Sequence, residues 1–149
     1  MPGAAEALRF VRAHGVPVGV ISNQSGVNRG FINLDQVHAV NARVTELLGP
    51  FDLWRICPHV AADGCDCRKP APGMLLDAAR SLDTAPASMV FIGDIGADIG
   101  AADAAGCRGI LVPTAITLPA EVTAAETVAH DLMEAVRLAL GIPGTGEAS

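Results

Sequence analysis

Three of the four cysteines and one of the four histidines lie within residues 57–67, as Cys57-x-His59 and Cys65-x-Cys67. Thiolates and an imidazole on two short arms match tetrahedral Zn²⁺, with sulfur at about 2.3 Å and nitrogen at about 2.0 Å. Gly64 eases the return of the chain between the arms. Four protein ligands close the coordination shell, so a zinc held here is structural. The plainer alternative is two buried or oxidised cysteines beside a surface histidine. Cys107 stands apart, at the end of an Ala-rich segment, and reads as a small core residue.

A second constellation is Asp94 and Asp98 in IGDIGAD. Two carboxylates across a strand-to-helix turn can share one space, and such oxygens suit Mg²⁺, which normally takes one or two carboxylates plus water and phosphate oxygens. Taken alone the pair equally describes an acidic helix start. Ser22-Asn23 offers a hydroxyl and backbone amides as a phosphate or oxyanion cradle, though an ordinary turn has the same composition. Lys69, between the cysteine arms and Pro70, is a candidate counter-charge for phosphate, or else a solvated surface lysine.

The elements that must position these residues follow from hydrophobic pattern. Residues 3–14 predict a helix stopped by Gly15, and VPVGVIS (16–22) a buried strand. After the polar loop NQSGVNRGF, Asn33 and Gln36 form a capping box for a helix whose apolar face runs through Val37, Val40, Val44 and Leu47 to Gly49. FDLWRI (51–56) predicts the second strand, with Trp54 in the core. Pro72 opens a helix to about Leu82. SMVFIGD (88–94) is the third strand, residues 98–105 a short helix, RGILVPT (108–114) the fourth strand and residues 129–140 the last helix. His14, His38 and His130 read as surface residues.

Strands that are apolar on both faces and alternate with helices predict a Rossmann-like α/β/α three-layer sandwich with a mainly parallel sheet. In such sheets the chemistry lies beyond the carboxyl ends of the strands. Ser22-Asn23, the cysteine loop and Asp94 all begin there.

With 149 residues, the chain is expected to form one domain over 1–140 with a flexible tail at 141–149. Half of the residues are hydrophobic and 17% charged, which excludes a disordered chain. A net charge of −6 argues against a nucleic-acid surface. No apolar run reaches the length of a membrane span, and MPGAAEALRF lacks the blocks of a signal peptide. The expectation is a cytoplasmic protein, monomeric or weakly oligomeric, with no membrane partner and thiols kept reduced.

Together ISNQSGVNRG (21–30), CPH…CDCRKPAPGM (57–74) and VFIGDIGADIGAADAAG (90–106) resemble the haloacid-dehalogenase-like phosphatases. The likeness is greatest to the branch containing heptose-bisphosphate and histidinol-phosphate phosphatases, and it runs from about residue 2 to 140. The cysteine loop followed by RKPAPGM is specific, whereas the GDxxxD pattern is common to the superfamily. The resemblance implies Mg²⁺-dependent hydrolysis of a small phosphorylated metabolite, a sugar phosphate of heptose-bisphosphate type, with histidinol phosphate as the alternative. It implies that Ser22 and Asn23 contact the transferred phosphoryl group and that Lys69 neutralises it. Asp94 would bind Mg²⁺ with Asp98 in support, Arg29 and Arg68 would contact substrate, and Cys57, His59, Cys65 and Cys67 would hold Zn²⁺.

The chain departs from the family in two places. Ile95 stands where relatives often carry lysine. The family also opens with a central strand ending in Asp-x-Asp, whose first carboxylate attacks phosphorus, and no such pair precedes Ser22. The expectation is that the strands at 16–22 and 88–94 are left with unpaired edges or forced to pair directly, and that this chain alone has little turnover. A start placed too far along, a decayed gene, or a second chain supplying the strand would each account for it. The first is preferred because the other motifs are intact. The reading from another class is a non-catalytic, zinc-stabilised module that binds phosphate or a partner.

Overall fold

Two parallel strand pairs organise the molecule, which a computed structural model describes over residues 1–144. In one, β1 (Gly19–Asn23) runs beside β2 (Leu53–Cys57), with Gly19 opposite Leu53 and Asn23 opposite Cys57. In the other, β3 (Val90–Gly93) runs beside β4 (Arg108–Leu111), with Val90 opposite Arg108 and Gly93 opposite Leu111. The two pairs are not hydrogen-bonded to each other. The sheet is therefore α/β and parallel as expected, but divided, with β1 and β3 each showing one edge without a ladder partner.

Helices α1 (Ala4–Ala13), α2 (Ser25–Asn28) and α3 (Leu34–Leu48) precede β2, and α4 (Gly73–Ser81) precedes β3. α5 (Gly96–Ala105) joins β3 to β4, and α6 (Pro119–Ala124) and α7 (Leu132–Leu140) follow. Side chains alternate across β3 and β4 as pleated strands require. Phe91 joins Leu75, Ala101, Ala102, Ala105 and Cys107 beneath α4 and α5. Val90, Ile92, Ile110 and Val112 pack with Ala129, Ala135 and Leu138 on the α7 side. The alanines let α5 lie close to the sheet, and Cys107 is a buried core thiol. α1 packs on both α3 and α7.

Several boundaries moved for identifiable reasons. β1 begins at Gly19 rather than Val16: Pro17 has no N–H, and Val18 exchanges bonds with Asp52, donating to its Oδ2 (2.7 Å) and accepting from its amide (2.8 Å). α5 begins at Gly96 because Asp98, in the first turn, accepts from the Ile95 amide at 3.3 Å. α7 begins at Leu132, since Asp131 caps it by accepting from Glu134 N (2.8 Å). Residues 127–129 instead run beside β4, bonding Leu111 from both sides. The Asn33–Gln36 capping box forms as predicted, with both bonds at 2.8 Å. Trp54 is only half-buried and meets Phe51 edge-to-face at 5.3 Å. His14, His38 and His130 are exposed. Five tail residues, 145–149, lie outside the described part of the structure. Among the described residues no helix is long and apolar enough to cross a membrane.

Candidate active site and metal clip

The carboxyl ends of β1 and β3 meet through a run of side-chain contacts. At the tip of β1, Asn23 grips the backbone of Lys69 at two points: its Oδ1 accepts from Lys69 N (3.1 Å) and its Nδ2 donates to Lys69 O (3.3 Å). The Lys69 ammonium then reaches Asp98 Oδ1 at 2.6 Å and lies 5.4 Å from the centre of the Phe91 ring. Asp98 is buried in α5, and its Oδ2 accepts from the amides of Asp94 (3.0 Å) and Ile95 (3.3 Å). Asp94 follows β3 directly. Gly93 is required here because a Cβ would collide with the Asp98 side chain.

Ser22, next to Asn23, has its hydroxyl oxygen engaged as an acceptor by Gln24 Nε2 at 3.0 Å. A hydroxyl has one proton to give. Accepting from Gln24 therefore leaves that proton available to another oxygen. Asp94 is held on three sides: Asp98 takes its amide, Thr117 Oγ1 donates to its carbonyl (2.5 Å) and Thr114 Oγ1 donates to its Oδ2 (3.3 Å). Its Oδ1 has no hydrogen-bond partner among the described residues.

The cysteine loop is a second, adjoining structure. Cys57, His59, Cys65 and Cys67 place one donor atom each within 4.8 Å of the others. Cys57 Sγ and Cys65 Sγ lie 3.6 Å apart, Cys65 Sγ and Cys67 Sγ 3.5 Å, and His59 Nδ1 stands 3.3 Å from Cys67 Sγ. Tetrahedral zinc with sulfur at about 2.3 Å separates its ligand atoms by about 3.5–3.8 Å. The separations above lie near that range, but Cys57 Sγ and Cys67 Sγ stand closer, at 2.9 Å, so the donor set suits the ion and that pair would have to spread to hold it. All three thiols are unpaired by disulfides. Burial pushes Cys67 up to about 12, assisted by the thiols of Cys57 and Cys65. Burial also acts upward on Cys65, but the Arg68 amide, the Cys67 and Cys57 thiols and the Cys67 amide outweigh it and bring Cys65 down to about 7. One thiolate thus forms readily, and a nearby dication would be needed to hold several.

The clip is tied into the rim on both flanks. Gln24 N donates to Cys57 O (2.7 Å), Asn28 N to Pro58 O (3.3 Å), and Asn28 Nδ2 to Asp63 Oδ2 (2.5 Å). Gly73 N donates to Asp66 O (2.8 Å), and a Cβ on Gly73 would strike that carbonyl. The cysteine loop is therefore bonded both to the segment after β1 and to the start of α4 beyond Lys69.

Residues 66–135 match the HAD-hydrolase-like family model. Curated relatives include the D-glycero-beta-D-manno-heptose-1,7-bisphosphate 7-phosphatase of Pseudomonas aeruginosa, 39% identical over 118 residues that cover 76% of this chain and 66% of that one. The enzyme of the same name from Rhodopseudomonas palustris is 38% identical, over 73% of this chain and 67% of its own. The crystal structure of D,D-heptose 1,7-bisphosphate phosphatase from B. bronchiseptica, complexed with magnesium and phosphate, superposes with a TM-score of 0.82 at 30% identity, over 95% of this chain and 83% of that one. The chain belongs to the haloacid-dehalogenase-like hydrolases.

Within this hydrolase fold the structure places the residues singled out above unequally. Ser22, Asn23, Lys69, Asp98 and Asp94 form one continuous set. Asp98 spends both oxygens on Lys69 and backbone amides, so it buttresses the site and has no oxygen left unbonded. Arg68 donates through Nη1 to His59 O (3.2 Å) and braces the clip. Arg29 is exposed just beyond α2, and its side chain takes no part in this bonded set. Gln24, Thr114, Thr117 and Glu121 were not singled out from the sequence. The signal for the threonines lies in their place just beyond a strand's carboxyl end.

Proposed function

We propose that this chain supplies the phosphate- and cation-binding parts of a Mg²⁺-dependent phosphomonoesterase for a sugar phosphate, of heptose-bisphosphate type. The observation that carries the reading is the unbroken run Ser22-Asn23, Lys69, Asp98, Asp94 along one rim. Ser22, its oxygen occupied by Gln24, directs its proton to a phosphoryl oxygen. Lys69, fixed at its backbone by Asn23 and at its tip by Asp98, adds positive charge that does not have to be reorganised during reaction. Asp94 offers the hard carboxylate oxygen that Mg²⁺ prefers. When bound, Mg²⁺ would neutralise charge on the phosphoryl oxygens. Zn²⁺ on Cys57, His59, Cys65 and Cys67 would fix the loop leading to Lys69, and Arg29 remains a candidate for reaching substrate.

The attacking carboxylate belongs, in this reading, on a strand lying between β1 and β3, each of which has one edge without a ladder partner. The test compares this chain with a fusion that adds an apolar strand ending in Asp-x-Asp ahead of Met1, using heptose bisphosphate and histidinol phosphate as substrates. Mg²⁺-dependent phosphate release by the fusion, with little from the chain alone, is the expected outcome. Robust turnover by the unfused chain would refute the need for a further carboxylate. Zinc uptake without turnover in either form would favour a non-catalytic phosphate-binding module, a reading consistent with Asp98 being fully engaged.

A further inference from the structure

The loop after β4 is bound to the Asp94 segment more closely than a connector requires. Thr117 Oγ1 accepts from Thr114 N (2.8 Å) and donates to Asp94 O (2.5 Å). Thr114, whose amide is thereby anchored, donates its own hydroxyl to Asp94 Oδ2 (3.3 Å). Glu121 closes the loop, accepting from Gly96 N through Oε1 (2.9 Å) and from Leu118 N through Oε2 (2.8 Å).

These bonds change what Asp94 has to do. An acidic residue before a helix ordinarily turns its carboxylate onto the first amides of that helix. Here the amide of Gly96, first in α5, is taken by Glu121, and the amides of Asp94 and Ile95 are taken by Asp98. Among the described residues the Asp94 carboxylate accepts from no amide of α5, its one bond being that from Thr114. Its Oδ2 is oriented by a hydroxyl donor, and its Oδ1 is left for another partner. Groups that orient a metal's carboxylate in this way tune the affinity of the site without touching the ion.

We propose that Thr117, through Thr114 and with Glu121 as its anchor, is a positioning residue that sets the Asp94 carboxylate for a divalent cation. This rests on the reading of Asp94 as the cation's ligand. The experiment uses the zinc-loaded chain and Mn²⁺ as a paramagnetic substitute for Mg²⁺, followed by electron paramagnetic resonance. Thr117→Val keeps the volume and removes the hydroxyl, Thr117→Ser restores it, and Asp94→Asn removes the ligand. The expected result is Mn²⁺ affinity weakened about tenfold in T117V, with T117S near the parent and zinc content unchanged. Should T117V fold poorly, Thr114→Val tests the same strap through the Oδ2 bond. Equal Mn²⁺ affinity in parent and T117V, or equal loss in T117V and T117S, overturns the strap while D94N still reports on the ligand. Parent-like binding by D94N, or no Mn²⁺ uptake by the parent, overturns the reading of Asp94 and the strap with it.

Discussion

Lys69 Nζ and Asp98 Oδ1 stand 2.6 Å apart with only 11% and 5% of their side chains exposed, so the rim is built on a nearly dry ion pair. Removing one partner of such a pair strands a charge in a low-dielectric interior. Lys69→Met is expected to destabilise the fold by about 3–5 kcal/mol. Adding Asp98→Asn to the same chain should recover part of that loss, because no charge is then left uncompensated. Urea unfolding of the two single variants and the double variant checks this. Additive losses would show that the pair is not coupled.

The clip should carry one zinc per chain when the protein is purified without chelator. Cys65→Ser, which leaves three ligands, should lower that ratio sharply. Stripping the metal should also speed proteolysis in 58–66, since the Asn28–Asp63 and Gln24–Cys57 bonds depend on the loop's shape. Metal analysis and limited digestion read these two effects separately.

Gly93→Ala should be costly even though a methyl group is small. The new Cβ falls on Asp98, which cannot move without releasing Lys69 and the Asp94 amide. Overpacking of this kind costs about 1–3 kcal/mol. Thermal unfolding measures it, and Mn²⁺ binding by the same variant should weaken in parallel.

Asp77 gives a pH signature away from the site. Hydrogen bonding from the Arg55 guanidinium, with the charges of Arg55 and Arg80 added, holds its carboxyl below the usual range against the upward effect of burial. A carboxyl depressed in the folded state contributes stability above its unfolded value of about 3.9, and loses it as pH falls through the folded value. The stability gap between parent and Asp77→Asn should therefore be flat from neutral pH to about pH 5 and shrink below about pH 4. Because the pair is partly exposed to solvent, the gap should be small and should narrow with salt. Melting curves across that pH range test the sign.

Much of this arrangement was legible in the residues themselves. The clip announces itself because four metal donors in so short a span have few other uses. The capping box at Asn33 was readable because both partners are local. The strand limits were less accessible: Pro17 marks the break, but the Val18–Asp52 exchange that moves the start of β1 spans 34 residues. Asn23 gripping the Lys69 backbone is likewise a contact across 46 residues, invisible to any local pattern. Thr114 ends RGILVPT, which the pattern assigns to the fourth strand although β4 stops at Leu111, and Thr117 lies just beyond it; neither stands out until β3 and β4 are laid side by side. The resemblance implies Arg68 as a substrate contact; its bond from Nη1 to the His59 carbonyl, across nine residues, is not legible in any local pattern.

The division of the sheet carries a consequence for how the backbone breathes. In a continuous parallel sheet the central strands are the last to release their amide protons to deuterium. Here β1 and β3 each have one edge without ladder acceptors, so the amides on those edges should label as quickly as loop positions, while those shared between β3 and β4 label slowly. Any strand that seats between the halves would then announce itself first as silence at those sites, before a single product molecule is counted.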